Sequence, residues 1–213
     1  MGTQYRQDTI RVHRFLPVTE AEGPGKRSSL WVQGCERRCP GCFNSATWDR
    51  SAGAIWTIEQ LSNQIEATEE IEGVTFVGGE PFLQATPLAR LGLLCRERGL
   101  SVVTFTGYDY GDIQAAKRCD WNALLGVTDL LLAGPYIAEQ QDFSRPWVGS
   151  SNQEFVFLTS RYQYLENQLE SVKNTLELNI GIKGEISVNG MASEGCIDEI
   201  RQNMAALGLE TQP

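Results

Sequence analysis

Apolar residues along this chain fall into short runs that alternate between two periods. Compact runs at 11–16, 28–33, 74–77, 101–106, 129–133 and 155–158 are rich in Val, Ile, Leu and Phe, and most stop at Gly or Pro, which predicts strands. Pro17 is expected to close the first. Between the runs lie stretches with helical spacing. Ile58, Leu61 and Ile65 share one side of 57–69, and Thr57 with Gln60 resembles a capping box at its start. Leu88, Leu91 and Leu94 follow Thr86-Pro87, with Pro87 at the first helical position and Gly99 as the stop. Residues 113–125 and 164–173 also read as helices. Residues 176–182 and 185–188, around Lys183-Gly184, predict a hairpin, and Ile197, Ile200, Met204 and Leu207 predict a final amphipathic helix. Residues 22–26 read as a turn, and 136–153 have loop composition.

Strand and helix alternate through the middle of the chain, which predicts βαβ units and a mainly parallel sheet. One event repeats: a strand stops in a glycine loop, at Gly34, at Gly78-Gly79, at Gly107 and at Gly134. Stacked side by side these loops would form one rim, at the strand ends where active sites of parallel α/β folds gather.

Composition narrows the picture. The chain has 213 residues, enough for one domain with a sizeable core. Its hydrophobic content of 41% and charged content of 21% are ordinary for a globular protein. A net charge of −9 argues against a nucleic-acid partner, while a small anionic ligand needs only a local positive patch. The first residues lack the apolar segment of a signal peptide, and no apolar run approaches the ~20 residues of a membrane span. A cytoplasmic protein with reduced thiols is expected, with no membrane partner. A single histidine, His13, leaves no room for a Ser-His-Asp arrangement, and no phosphate-binding P-loop is present.

The informative chemistry is Cys35, Cys39 and Cys42 on one short loop. Three thiolates can hold three irons of a [4Fe–4S] cluster and leave the fourth iron open to a small molecule. Zinc is the bland alternative, but structural zinc sites usually pair two Cys-x-x-Cys knuckles, and no second knuckle exists here. A disulfide is disfavoured by compartment.

The spacing Cys-x3-Cys-x2-Cys after one strand, with Gly78-Gly79-Glu80-Pro81 after a later one, resembles the radical S-adenosylmethionine superfamily. Gly23-Pro-Gly-Lys-Arg27 and Leu30-Trp-Val-Gln-Gly-Cys35 resemble the entry segment of its glycyl-radical activating enzymes, and Thr106-Gly-Tyr108 fits their third strand end. Asp129 to Tyr136 and Trp147 to Gln153 are most similar to the subfamily that activates anaerobic ribonucleotide reductase. The motifs span 10–153, the matched core is taken as 10–158, and 160–213 is an extension with the hairpin and final helix, all within one domain of 1–213. The resemblance implies a partial (β/α)6 barrel of mainly parallel strands. It implies Cys35, Cys39 and Cys42 as cluster ligands and catalytic residues. It implies Phe43, Asn44, Gly78, Gly79, Glu80, Pro81, Thr106, Gly107 and Tyr108 as binders of S-adenosylmethionine, whose methionine amine needs acceptors such as strand-end carbonyls and one carboxylate. It also implies hydrogen abstraction from a glycine of a glycyl-radical enzyme, anaerobic ribonucleotide reductase, with flavodoxin or ferredoxin as electron donor. One departure is Gly41, where many members carry an aromatic; here the aromatic is Phe43.

Other residues have weaker claims. Arg37 and Arg38 could draw in an acidic donor or offset the cluster's charge, or be solvated surface. Lys26-Arg27 could touch a partner or a carboxylate, or be a solvated turn. Ser151-Asn152-Gln153 could bind a docked peptide backbone or cap a strand. Asp129 reads as a turn former, Cys95 as core, and Cys119 and Cys196 as structural. Trp48 could shield a cluster. The unmatched extension keeps a second reading open, a radical enzyme acting on a small metabolite or peptide; a third is a non-catalytic iron–sulfur or zinc protein.

Overall fold

The computed structural model describes residues 8–180, 186–192 and 194–206. A seven-stranded open sheet runs through it. Its strands are β1 (Thr9–Thr19), β2 (Arg27–Val32), β3 (Ala54–Thr57), β4 (Gly73–Gly78), β5 (Ser101–Thr106), β6 (Leu130–Ala133) and β7 (Glu154–Phe157), in the order β3-β1-β2-β4-β5-β6-β7. The centre, β2-β4-β5-β6, is parallel throughout, whereas β1, β3 and β7 pair antiparallel at the flanks. Six parallel strands were expected and four are found. A separate antiparallel hairpin, β8 (Leu176–Ile180) and β9 (Ile186–Gly190), follows.

Alternation along the strands gives the sheet two unlike faces. Leu30, Val32, Val74, Phe76, Val102 and Leu131 point to the face covered by α1 (Ile58–Glu66), α2 (Ala85–Glu97), α3 (Tyr110–Ala116) and α4 (Cys119–Val127), and there they form the main core. The other face carries Arg27, Trp31, Thr75, Ser101 and Val103. A second core of Val103, Leu130, Leu132, Trp147, Val148, Tyr162 and Leu165 sits on its β5–β7 side.

The helix α1 is the clearest match between pattern and structure: Thr57 Oγ1 accepts from Gln60 N, and Gln60 Oε1 accepts from Thr57 N, closing the capping box. Several expectations need correction. β1 runs through Pro17 to Thr19 because a register shift against β2 between Leu16 and Thr19 leaves the missing N–H outside the ladder. α2 begins at Ala85, two residues before Pro87, after a 3-10 turn at Pro81–Gln84. The single helix expected at 113–125 is two, broken where Lys117 adopts φ +50. The helix expected at 164–173 is a pair of 3-10 turns, Ser160–Leu165 and Leu169–Ser171. The hairpin forms as expected, although its turn at Lys183-Gly184 lies outside the described residues. A last helix, α5, covers Glu194–Ala206; Leu207 lies outside.

Candidate active site

The parallel order places the ends of β2, β4, β5 and β6 side by side, so the glycine loops after them do form one rim. The cysteine loop hangs from Gln33, a fully buried amide directly before Gly34-Cys35. Gln33 Nε2 donates to the carbonyls of Ala46 at 3.1 Å and Asp49 at 2.7 Å, and Oε1 pairs with His13 Nδ1 at 2.9 Å. Gly34 N donates to Thr47 O at 2.7 Å, and Gly34 O accepts from Glu80 N at 2.9 Å. Both ends of the loop are therefore fixed before the cysteines are placed. Beside it, Gly78 has φ +103, and a Cβ there would lie 2.7 Å from Trp31 Cα; a Cβ on Gly79 would lie 2.4 Å from Gly34 O. Only glycines let β4 end this close to β2.

Glu80 ties this corner to the next loop. Its carboxylate is fully buried and accepts from Phe82 N and Thr106 Oγ1 on one oxygen, and from Gly107 N on the other, each at 2.9 Å. Burial pushes its pKa up to about 7, against the pull of those three donors and of Arg37. Arg37 itself lies over the Tyr108 ring at 5.0 Å.

Cys35, Cys39 and Cys42 are all half-buried and line one cavity. Of the expected binders, Phe43, Asn44, Gly78, Gly79, Glu80, Thr106 and Gly107 line it with them. Pro81 and Tyr108 are not among its lining residues: Pro81 opens the 3-10 turn behind Glu80, and Tyr108 packs between Arg37 and Trp121, whose ring is 4.9 Å away. The cavity also takes Trp48, Tyr136, Gln153 and Met191. Tyr136 fills the place next to Gly41, 3.4 Å from where a Cβ would stand, and meets Phe43 edge-on at 5.4 Å.

The sulfurs sit in a setting fit for thiolates bound to iron. Burial pushes the Cys35 and Cys42 thiols up, while backbone N–H groups of Arg38 and Arg37 on Cys35, and of Asn44 on Cys42, pull them down. The Trp48 indole N–H is buried beside the Cys42 sulfur, finds no other acceptor, and pulls that thiol down. A buried donor aimed at one of the three thiols fits an iron–sulfur group, whose sulfurs accept such bonds. Among the described residues no three Cys, His, Asp or Glu side chains gather round a single ion-sized point; on a cluster, three thiolates each meet a different iron.

Other candidates are structural. Arg27 is buried to 0% exposure and donates to Thr75 Oγ1, Pro24 O, Ser101 Oγ, Tyr162 Oη and Val74 O, so it is neither a solvated turn nor free for a partner. Asp129 accepts from Arg96, Val102 N and Thr159. Asn152 and Gln153 are spent on the loop after β6, donating to Pro135 O and Gly134 O. Cys95 is core, its thiol pushed up to about 12 by burial, whereas Cys119 and Cys196 are exposed. Gln153, named with Ser151 and Asn152 as a candidate, does reach the cavity, whereas Gln33, Tyr136 and Met191 were not foreseen as site residues. Only Gln33 left a signal, a polar residue ending a buried strand just before Gly-Cys.

A three-thiol loop on the rim of a parallel sheet, facing a carboxylate-braced glycine corner, defines an iron–sulfur protein of the radical enzyme class. The chain belongs to the 4Fe-4S single cluster domain family, whose model matches residues 21–156. It is 32% identical over 152 residues to the anaerobic ribonucleoside-triphosphate reductase-activating proteins of Vibrio cholerae serotype O1 and of Escherichia coli K12, matches covering 68% of this chain and 96% of each relative. It is 33% identical over 128 residues to the pyruvate formate-lyase-activating enzyme of Clostridium pasteurianum, covering 57% of this chain and 50% of that one. The solved structure of QueE from Escherichia coli superposes with a TM-score of 0.42 at 12% identity, over 95% of this chain and 92% of that one. The resemblance to glycyl-radical activating enzymes is thus borne out, and with it a [4Fe–4S] cluster and S-adenosylmethionine as the cofactors of the class. No helix among the described residues is long and apolar enough to cross a membrane.

Proposed function

We propose that this chain, as one domain of 1–213, is a radical S-adenosylmethionine activase acting on a glycine of a glycyl-radical enzyme, anaerobic ribonucleotide reductase. When bound, the cluster and S-adenosylmethionine supply a carbon-centred radical through one-electron reductive cleavage. The chain's own residues hold, orient and shield. Cys35, Cys39 and Cys42 ligate three irons. Gly78, Gly79 and Glu80 offer acceptors to the methionine amine, Thr106 and Gly107 hold the Glu80 carboxylate in place, and Phe43 and Asn44 flank the corner. Pro81 and Tyr108 act from behind, by fixing Glu80 and Arg37. Trp48 and Tyr136 keep water from the cavity. The sheet, with α1–α4 all on one face, is read as the wall of a partial barrel. Exposed Arg38, in a surface depression that also holds Glu36, Asp49 and Arg50 and reaches Cys35, is read as the docking point for reduced flavodoxin or ferredoxin in the cytoplasm.

The observation that carries this reading is the convergence of the three cysteines and the Glu80 corner on one cavity. The test is anaerobic reconstitution with iron and sulfide, addition of S-adenosylmethionine and dithionite, and chromatographic assay of 5′-deoxyadenosine. Product that disappears in Cys39→Ala supports the enzyme. A fully loaded cluster that yields none would leave a metal-binding protein. Met191, contributed by the extension, favours a second reading, a small metabolite or peptide as substrate. An electron-paramagnetic-resonance glycyl signal on added reductase decides between the two.

A further inference from the structure

One wall of the cavity lies beyond residue 156, where the family match ends. That wall is Met191, the residue after β9. The hairpin that delivers it is fastened to β1 and the turn behind β1 by polar groups. Glu177 accepts from Thr19 Oγ1 at 2.5 Å and from Glu20 N at 2.6 Å. Asn189 Nδ2 donates to Thr19 Oγ1 at 2.8 Å and to Glu177 Oε2 at 3.0 Å. Arg14, stacked over Trp31 at 5.0 Å, donates to Ser187 Oγ at 3.2 Å and Val188 O at 3.4 Å. Gly190 N donates to buried Glu22 at 3.1 Å. Gly190 itself has φ +105, and a Cβ there would lie 2.0 Å from Thr175 O, so the course of the chain out of β9 is set by backbone packing.

We infer that Met191 is a shielding residue of the cluster cavity supplied in cis by the extension, and that the seam of Arg14, Glu22, Glu177 and Asn189 is the device that positions it. A thioether suits this place. It is apolar enough to exclude water, and its unbranched chain can fold aside when a substrate segment enters. The inference rests on the proposed function, since it takes the cavity to house the cluster.

The test needs no turnover. Wild-type, Met191→Ala, Met191→Leu and Glu177→Ala proteins are loaded anaerobically, an iron chelator is added, and loss of cluster absorbance is followed. Met191→Ala should bleach about threefold faster or more, because opening the cavity admits solvent and chelator. Met191→Leu should keep the wild-type rate, and Glu177→Ala should bleach faster although it lies away from the cavity. If Met191→Ala does not fold, Met191→Gln keeps the length and must bleach faster than Met191→Leu. Equal rates in whichever pair is read overturn the proposal. Failure of the parent reading shows differently: the wild type itself would take up no cluster or yield no 5′-deoxyadenosine.

Discussion

The four parallel strands end in opposite ways. At their carboxyl ends β2, β4 and β6 run into glycines of positive φ, Gly34, Gly78 and Gly134, and the one buried carboxylate there, Glu80, braces loops rather than strands. At their amino ends nothing is left open. Arg27 and Asp129 are both buried, and their hydrogen bonds run to β4, to β5 and to the segment after β7. Polar burial therefore does two jobs in one sheet. One end is polar to keep a cavity, the other to lock the strands, as the division of parallel α/β folds into a reactive and a stabilising end requires.

Removing the lock should give the largest effect. Arg27→Met leaves several buried hydroxyls and carbonyls of β4, β5 and Tyr162 without their donor at once, at a cost of about 3 kcal/mol or more. Denaturant melts of the apoprotein would show it. Per loaded cluster, 5′-deoxyadenosine formation should stay near wild type, since Arg27 lines no part of the cavity. Wild-type stability in this variant would erase the contrast between the two ends.

Glu80→Ala sharpens the same contrast from the other side. Three buried donors lose their acceptor, for about 2–3 kcal/mol. Unlike Arg27→Met, this variant should also lose affinity for S-adenosylmethionine, measured by equilibrium dialysis on the loaded protein. Asp129→Ala is the matched control: it likewise strips three donors, yet should bind the cofactor as wild type does. Equal cofactor affinity in the Glu80 and Asp129 variants would show that the carboxylate has no special place at the rim.

The rim was legible because glycines after apolar runs and cysteines at fixed spacing are local signals. The lock was not. Arg27 reads as a turn residue beside Gly25 and Lys26, and its burial depends on Thr75, Ser101 and Tyr162, which lie 48, 74 and 135 residues away. β3 was missed for a similar reason. Its four residues are mostly exposed, and they become a strand only by pairing with β1. The helix at 113–125 failed on a backbone term, the left-handed Lys117, which apolar spacing does not report. Met191 could not be found from sequence, because its place follows from a hairpin clasped to β1 some 170 residues earlier.

The smallest effect probes a third carboxylate, Glu22 in the seam under the hairpin. Burial pushes its pKa up to about 8, against Gly190 N and the Arg14 guanidinium, with Glu177 adding to the rise. Thr19 and Asn189 also stand in the seam, and both are neutral. A carboxyl raised above its ordinary value of 4.5 is protonated in the folded chain and ionised in the unfolded chain between those two values. Stability is therefore whole below pH of about 4.5, falls as pH rises to about 8, and is flat beyond, with a limiting slope of about 1.4 kcal/mol per pH unit. Detachment of the hairpin lets water reach Glu22, and this caps the loss at about 1–2 kcal/mol, below what full unfolding would register. Glu22→Gln keeps the acceptor for Gly190 and cannot ionise, so it should gain that amount at pH 8 and nothing at pH 4.5. Hydrogen exchange of the β8–β9 amides, read at both pH values, is the direct measurement. Protection that rises with pH in the wild type would reverse the sign assigned to Glu22 and return the seam to the same category as the lock.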